Sequence, residues 1–151
     1  MARAAEFGKH DLPSEIEDLG RRVIGAAMEV HTVLGPGLLE SVYEGALVRE
    51  LELSGVEVER QVPAAVEYKG VVIGDQRLDL VIEKTVIVEL KVVQALLPVH
   101  RAQLLSYLRV AGLPLGFLIN FNAAHLRDGF TRVINERSPL VQPSRPSRPS
   151  R

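Results

Sequence analysis

Asp79, Glu89 and Lys91 are charged residues set in otherwise apolar stretches. Leu78, Leu80 and Ile82 alternate around Asp79, and Val86-Ile87-Val88-Glu89-Leu90-Lys91-Val92-Val93 is apolar at all but two positions. An unpaired charge buried in a sheet costs several kcal/mol, so such residues are expected to be clustered, paired or metal-bound. Glu89 and Lys91 are two apart, so on a strand they share a face. Whether Asp79 joins them depends on the intervening turn. A two-residue loop at Glu83-Lys84 pairs Ile82 with Thr85 and turns Asp79 and Glu89 to opposite faces. A three-residue loop, 83–85, pairs Ile82 with Val86 and sets Asp79 across from Glu89. Register decides face, and the second register or a bulge, which a shared metal site requires, is expected here. Two carboxylates brought together repel, which favours a raised pKa or a divalent cation between them. Mg²⁺ takes oxygen ligands, typically one or two carboxylates with waters and substrate phosphate. A bound metal acidifies water, and a neighbouring lysine can steady developing phosphate charge. The chemistry this predicts is metal-assisted phosphodiester hydrolysis; the plainer alternative is a strand salt bridge.

The elements that must position these groups read as follows. Ser14 and Glu17 have capping-box spacing after Pro13, and Leu19, Val23, Ala26, Ala27, Val30 and Leu34 recur at three and four, marking one buried helical face. Gly35-Pro36-Gly37 breaks that helix. A second helix is expected over 38–53, with Leu39, Val42, Ala46, Leu47 and Leu51 inward and Gly55 at its C′ position. The period then changes. Val56, Val58, Arg60 and Val62 alternate with Glu57, Glu59 and Gln61, which predicts a strand. Segments 64–68 and 71–73 flank Lys69-Gly70 as a hairpin, and 78–82 forms a further strand. The run from Val86, apolar on both faces, is a central strand. Pro98 precedes a helix over 99–111 closed by Gly112, followed by a buried strand at 115–121 and a final one at 130–134. The order predicts an α/β domain of the α+β kind, with a mixed sheet and a helix crossing between two strands.

Composition narrows the chemistry further. Hydrophobic residues make up 46% and charged residues 25% of 151, values of a globular domain rather than a disordered chain. There is no cysteine, which excludes disulfides, thiolate zinc sites, iron–sulfur clusters and a cysteine nucleophile. The net charge is -1. From Ser138 onward there are three basic residues, Arg145, Arg148 and Arg151, and no acidic ones, so residues 1–137 carry -4. The repeated Pro-Ser-Arg stretch predicts a disordered tail over 138–151, either an electrostatic tether or a segment without a role. Residues 1–12 read as a flexible extension and 13–137 as the domain. No apolar h-region and no membrane-length run is present, so a cytoplasmic protein without a membrane partner is expected.

Asp79 followed by Glu89-Leu90-Lys91 resembles the catalytic core of the PD-(D/E)XK nuclease superfamily. Gly37-Leu38-Leu39-Glu40-Ser41-Val42-Tyr43 matches the GxxExxY signature of a small bacterial and archaeal family within it. Further matches are Glu29-Val30-His31, Leu34-Gly35-Pro36-Gly37, Arg60-Gln61-Val62-Pro63, Arg77-Leu78-Asp79-Leu80 and Leu118-Ile119-Asn120-Phe121-Asn122. The resemblance implies a restriction-endonuclease-like αβββαβ core, here with an extra N-terminal helix. It implies that Asp79 and Glu89 are metal carboxylates for Mg²⁺ or Mn²⁺, with the Leu90 carbonyl as a further ligand. It makes Lys91 the catalytic lysine and Glu40 the helix glutamate that completes the site or adds a metal ligand. Gln103 and Tyr107 match the QxxxY motif of RecB-like nucleases; four apart, they share a helix face. The implied partner is nucleic acid, DNA before RNA, and a small domain cutting duplex DNA often works as a homodimer.

Each candidate also has a plainer reading. Glu40 could be a surface helix residue, although Tyr43 and Glu44 after it suggest a polar face turned to a groove. Gln103 and Tyr107 could be an exposed amide and a packed ring with a wet hydroxyl. His31 reads as a cap or packing residue and His100 as a surface residue at a helix start. Gly35-Pro36-Gly37 lacks the context of a phosphate loop. Arg60, Lys69, Arg77, Arg101 and Arg109 are candidates for a phosphate-facing patch or scattered surface charge. The rival to a nuclease is a catalytically silent nucleic-acid-binding or protein-interaction module on the same fold.

Overall fold

The computed structural model describes residues 10–143. In chain order the elements are β1 (His10–Asp11), α1 (Ser14–Leu34), α2 (Glu40–Leu53), β2 (Val58–Tyr68), β3 (Val71–Ile82), β4 (Val86–Lys91), α3 (Pro98–Ala111), β5 (Leu115–Asn120), a 3₁₀ turn (Leu126–Gly129), β6 (Phe130–Ile134) and β7 (Gln142–Pro143). The expected αβββαβ order is present from α2 to β5, with α1 as the extra helix before it. The main sheet has the order β2-β3-β4-β5-β6. Only β4 and β5 run parallel within it, and a parallel pair needs a crossover, which α3 supplies. Helices cover both faces. On one, Val23, Val30, Tyr43, Leu47 and Leu51 pack on Leu80, Val86, Val88, Leu90 and Phe117. On the other, Leu104 and Leu108 of α3 pack on Val81, Ile87, Leu118 and Val133. A Cβ on Gly116 would lie 3.0 Å from Leu104, so the bare backbone there lets α3 settle onto β5.

β4 lies inside the sheet and is buried along Val86–Leu90, as its two-sided apolar pattern predicts. The turns follow from local chemistry. Lys69 and Gly70 both have positive φ (48° and 83°), the signature of a two-residue hairpin whose twist matches its strands. Gly35 ends α1 with φ 67° and donates to the His31 carbonyl.

Several expectations are corrected. The Ser14/Glu17 capping box does not form: Pro13 is the N-cap, without a side-chain cap, so both residues sit one position too far inside the helix. Glu17 is instead ion-paired to Arg132 on β6. α2 starts at Glu40, not 38, and Leu39 and Val42 are 73% and 44% exposed. Leu47 and Leu51 are buried as expected, and Tyr43 and Val48 complete the inward face. Leu34 is also partly exposed. The separate short strands at 56–62 and 64–68 form one strand, and so do 71–73 and 78–82. Pro63 is tolerated because β2 is an edge strand, and polar residues 74–77 continue β3 because both its faces are exposed there. At the ends, Leu12 and Val141 are buried in the core, and β1 pairs with β7. The packed unit therefore reaches beyond 13–137 on both sides. The rest of the expected extension and tail, residues 1–9 and 144–151, lies outside the described residues. Among the described residues no helix is long and apolar enough to cross a membrane.

Candidate active site

β3 and β4 pair as Ile82 with Val86, Val81 with Ile87 and Leu80 with Val88. This is the register of the three-residue loop. It is set by a turn in which Glu83 and Lys84 both take positive φ (49° and 52°) and the Thr85 amide donates to the Ile82 carbonyl at 2.9 Å. Backbone pairing stops at Leu80–Val88, and the next opposed positions are Asp79 and Glu89. There side chains replace the ladder. The Asp79 amide donates to Glu89 Oε1 at 3.1 Å, and the Leu90 amide donates to Asp79 Oδ2 at 2.9 Å. Each carboxyl group thus holds an amide of the other strand. Asp79 Oδ1 and Glu89 Oε2 lie outside these two bonds.

The electrostatics follow from burial. Glu89 is 6% exposed. Desolvation, then the neighbouring Asp79 charge, pushes its carboxyl up to about 8, against the opposing pull of Lys91. Glu40, first residue of α2, has a raised pKa from partial burial of its carboxyl, then from Asp79; Lys91 opposes this and Glu44 adds to it. Tyr107, half-buried on α3, is likewise raised by burial and by the charges of Glu89 and Asp79. Glu40, Asp79, Glu89, Lys91 and Tyr107 therefore share one field, drawn from two helices and two strands. Gln103 is exposed one turn before Tyr107.

The end of β4 is fixed from β5. The Phe121 amide donates to the Lys91 carbonyl at 3.0 Å. Asn120, 3% exposed, donates to the Val93 carbonyl at 2.9 Å and accepts from the Val93 amide at 3.1 Å. Lys91 thus leaves the sheet from a backbone with little freedom.

A cleft of about 150 Å³ opens beside the pair, lined by Glu40, Ser41, Glu44, Gln61, Asp79 and Leu90. Glu44, 9% exposed, accepts from Gln61 Nε2 at 2.7 Å and from Arg60 at 3.3 Å. Ser41, Glu44 and Gln61 were not among the expected site residues. Glu44 had a sequence signal in its four-residue spacing from Glu40; Gln61 had only its place in the Arg60-Gln61-Val62-Pro63 match, and Ser41 only its place beside Glu40.

Three neighbouring residues serve structure. Tyr43 is not on a polar groove face: it is fully buried and stacked on Phe121 at 4.7 Å. Its hydroxyl donates to the Gly35 carbonyl and accepts from the Leu38 amide, which ties down the loop before Glu40. His31 Nε2 bonds the Ala123 carbonyl at 2.8 Å, and His100 Nδ1 accepts from the Leu97 amide at 3.0 Å. Of the basic candidates, Arg60 is held by Glu44 and Lys69 lies over the Tyr68 ring at the hairpin tip. Arg77, Arg101 and Arg109 are exposed on β3 and α3.

Among the described residues, no three Asp, Glu, His or Cys side chains converge closely enough to hold an ion by themselves. Glu40 therefore does not form a three-carboxylate cage with Asp79 and Glu89. Asp79 and Glu89 still offer hard oxygen donors, which suit an ion that keeps several waters. The raised Glu89 carboxyl fits as well, since adjacent buried carboxylates without a cation relieve repulsion by keeping a proton.

The sequence profile described as the PD-(D/E)XK nuclease superfamily matches residues 17–133. That span holds Glu40, Asp79, Glu89, Lys91, Gln103 and Tyr107. The fold agrees with the crystal structure of SSO0001, with a TM-score of 0.51 at 20% identity over 80% of this chain. The chain spans 58% of that structure's length. No curated protein matches the sequence.

Proposed function

The chain belongs to the PD-(D/E)XK nuclease superfamily, and on that footing we propose that it is a metal-dependent nuclease of the GxxExxY type, cutting phosphodiester bonds in DNA in preference to RNA. The observation that carries this is the reciprocal bonding of Asp79 and Glu89 across β3 and β4, with Lys91 on the same strand end. Two strand carboxylates are costly beside each other in a structural role, because burial and mutual charge oppose their ionisation.

Asp79, Glu89 and the Leu90 carbonyl would hold Mg²⁺ or Mn²⁺, which when bound supplies Lewis acidity and a more acidic water. The Lys91 ammonium orients the attacking water and steadies the charge that grows on the phosphate oxygens. The water oxygen forms a bond to phosphorus while one P–O bond to a sugar breaks; the attacking water gives up a proton to solvent and the departing sugar oxygen takes one from solvent, so protons balance. Tyr107 keeps its hydroxyl proton, since its pKa is raised, and donates it as a hydrogen bond to a phosphate oxygen. Gln103, one turn away on α3, contacts the same strand of substrate. Glu40 lines the entrance and interacts with water or substrate at the cleft.

Purified protein incubated with single-stranded DNA, duplex DNA and RNA tests this. Cleavage is expected with Mg²⁺ or Mn²⁺ and not with EDTA, and Asp79→Ala and Lys91→Ala should each lower it at least about 100-fold. Wild-type protein that cuts none of these with either metal overturns the proposal.

A further inference from the structure

Glu44 is a carboxylate on the core-facing side of α2, at 9% exposure, among Tyr43, Leu47 and Val48. A buried charge persists only when it is paired and hydrogen-bonded. Both Glu44 oxygens are used: Oε1 by Gln61 Nε2 at 2.7 Å and Oε2 by Arg60 at 3.3 Å. Glu44 stands one turn after Glu40 on the same helix face.

The partner strand is shaped for this contact. Gln61 has φ 51°, a left-handed conformation uncommon for a residue other than glycine, asparagine or aspartate. Arg60 pairs with Leu80 and Val62 with Leu78, but Gln61 has no pairing partner between them. The residue opposite it in that register is Asp79. Strain of this sort is retained where surrounding structure over-determines it, and distortions of a strand re-aim side chains next to active sites. Here the distortion sends Gln61 to Glu44 and leaves Asp79 free of a ladder partner on that side. Gln61, Glu44, Glu40 and Asp79 then line one cleft.

We propose that Glu44 is a positioning residue: its bonds to Arg60 and Gln61 clamp the first turns of α2 to β2 opposite Asp79 and so hold the Glu40 carboxylate on the cleft. The Glu44–Gln61 bond is the shorter of the two and joins the helix directly to the residue facing Asp79. Tyr43 fixes the loop entering the helix, and the clamp fixes the helix itself. The consequence for catalysis rests on the nuclease reading above; the geometric claim does not.

The test is a double-mutant cycle on the full chain. Glu44→Leu and Glu40→Gln should each lower kcat about 10- to 100-fold with little change in KM, as expected for a misplaced group. The double variant should be no slower than Glu40→Gln alone. Glu44→Gln, which keeps an acceptor for Gln61, should recover part of the loss. Gln61→Ala, which leaves the Glu44–Arg60 pair intact, should reproduce part of it in a protein whose far-UV dichroism is native. Losses that multiply independently in the double variant, or a wild-type kcat in both Glu44→Leu and Gln61→Ala, overturn the proposal. If wild-type protein cuts no nucleic acid, the nuclease reading fails by itself, and crystal structures of Glu44→Leu and Gln61→Ala decide the clamp. A Glu40 carboxyl withdrawn from the cleft in both supports it, and one unmoved in both overturns it.

Discussion

Glu89 is a carboxylic acid that the sheet keeps from water beside a second carboxylate. Its pKa of about 8 is a statement about stability as well as chemistry. The folded state binds the proton more tightly than the unfolded chain, whose glutamate titrates near the usual value of about 4.3. The favourable contribution is therefore complete below that value and is lost as pH rises towards about 8. Without metal, wild-type protein should lose stability between those limits, and Glu89→Gln should lose less. Urea unfolding in EDTA at pH 5 and pH 8 checks this, and equal pH dependence of the two proteins would contradict it. A cation competes with that proton, so apparent Mg²⁺ affinity, measured by titration calorimetry, should rise over the same window. Of the site, the residue types and the two-residue spacing of Glu89 and Lys91 were legible from the chain. The bond from Gln61 to Glu44 was not, because it needs a left-handed glutamine that residue type does not announce.

Elements position these residues through packing more than through propensity. α2 has no side-chain cap at its N-terminus, and its entry is instead tied by the Tyr43 hydroxyl to Gly35 and Leu38. Tyr43→Phe should therefore cost about 1 kcal/mol in equilibrium unfolding, since it removes the hydrogen bonds that the hydroxyl makes to the Gly35 carbonyl and the Leu38 amide. It should also lower activity, because Glu40 follows the loop that Tyr43 secures. A variant with wild-type stability and rate would show that the hydroxyl contributes nothing to either. The periodic face of α1 and the apolar run of β4 were readable because each buries a regular pattern. The face of α2 was misjudged at Leu39 and Val42, where the register of apolar residues fits two rotations of the helix. Stacking of Tyr43 on Phe121 selects one of them. The long β2–β3 ribbon is legible in the sequence only as shorter pieces, because Gly74, Asp75, Gln76 and Arg77 lie where both faces are exposed, so no alternation is demanded of them.

At the scale of the whole molecule, residues 1–137 carry -4 and the cleft is lined by Glu40, Glu44 and Asp79. Nucleic acid then meets an unfavourable field unless a divalent cation is present. On the proposed nuclease reading, Lys91→Ala protein, which should not cleave, should bind DNA at least about tenfold more tightly in Mg²⁺ than in EDTA. That binding should weaken steeply between about 50 and 200 mM salt, as phosphate contacts do. Fluorescence anisotropy of a labelled duplex measures both, and tight binding in EDTA would contradict the expectation.

What the chain by itself determined is the inventory: hard oxygen donors and a lysine in apolar strands, no thiol chemistry, and an order of helices and strands written in the change of hydrophobic period. These are local properties, carried by neighbours in sequence. Tertiary structure alone decided which of two registers brings Asp79 to Glu89. The reason is that a strand residue's partner is set by turn conformation and by which face packing buries, and at residues 83–85 two loop lengths fit the same sequence. It also decided where the ladder ends and carboxylates take over its amides. Finally, it decided that Glu44 reaches across to Arg60 and Gln61, since contacts between elements exist only once the core has set their distance and rotation.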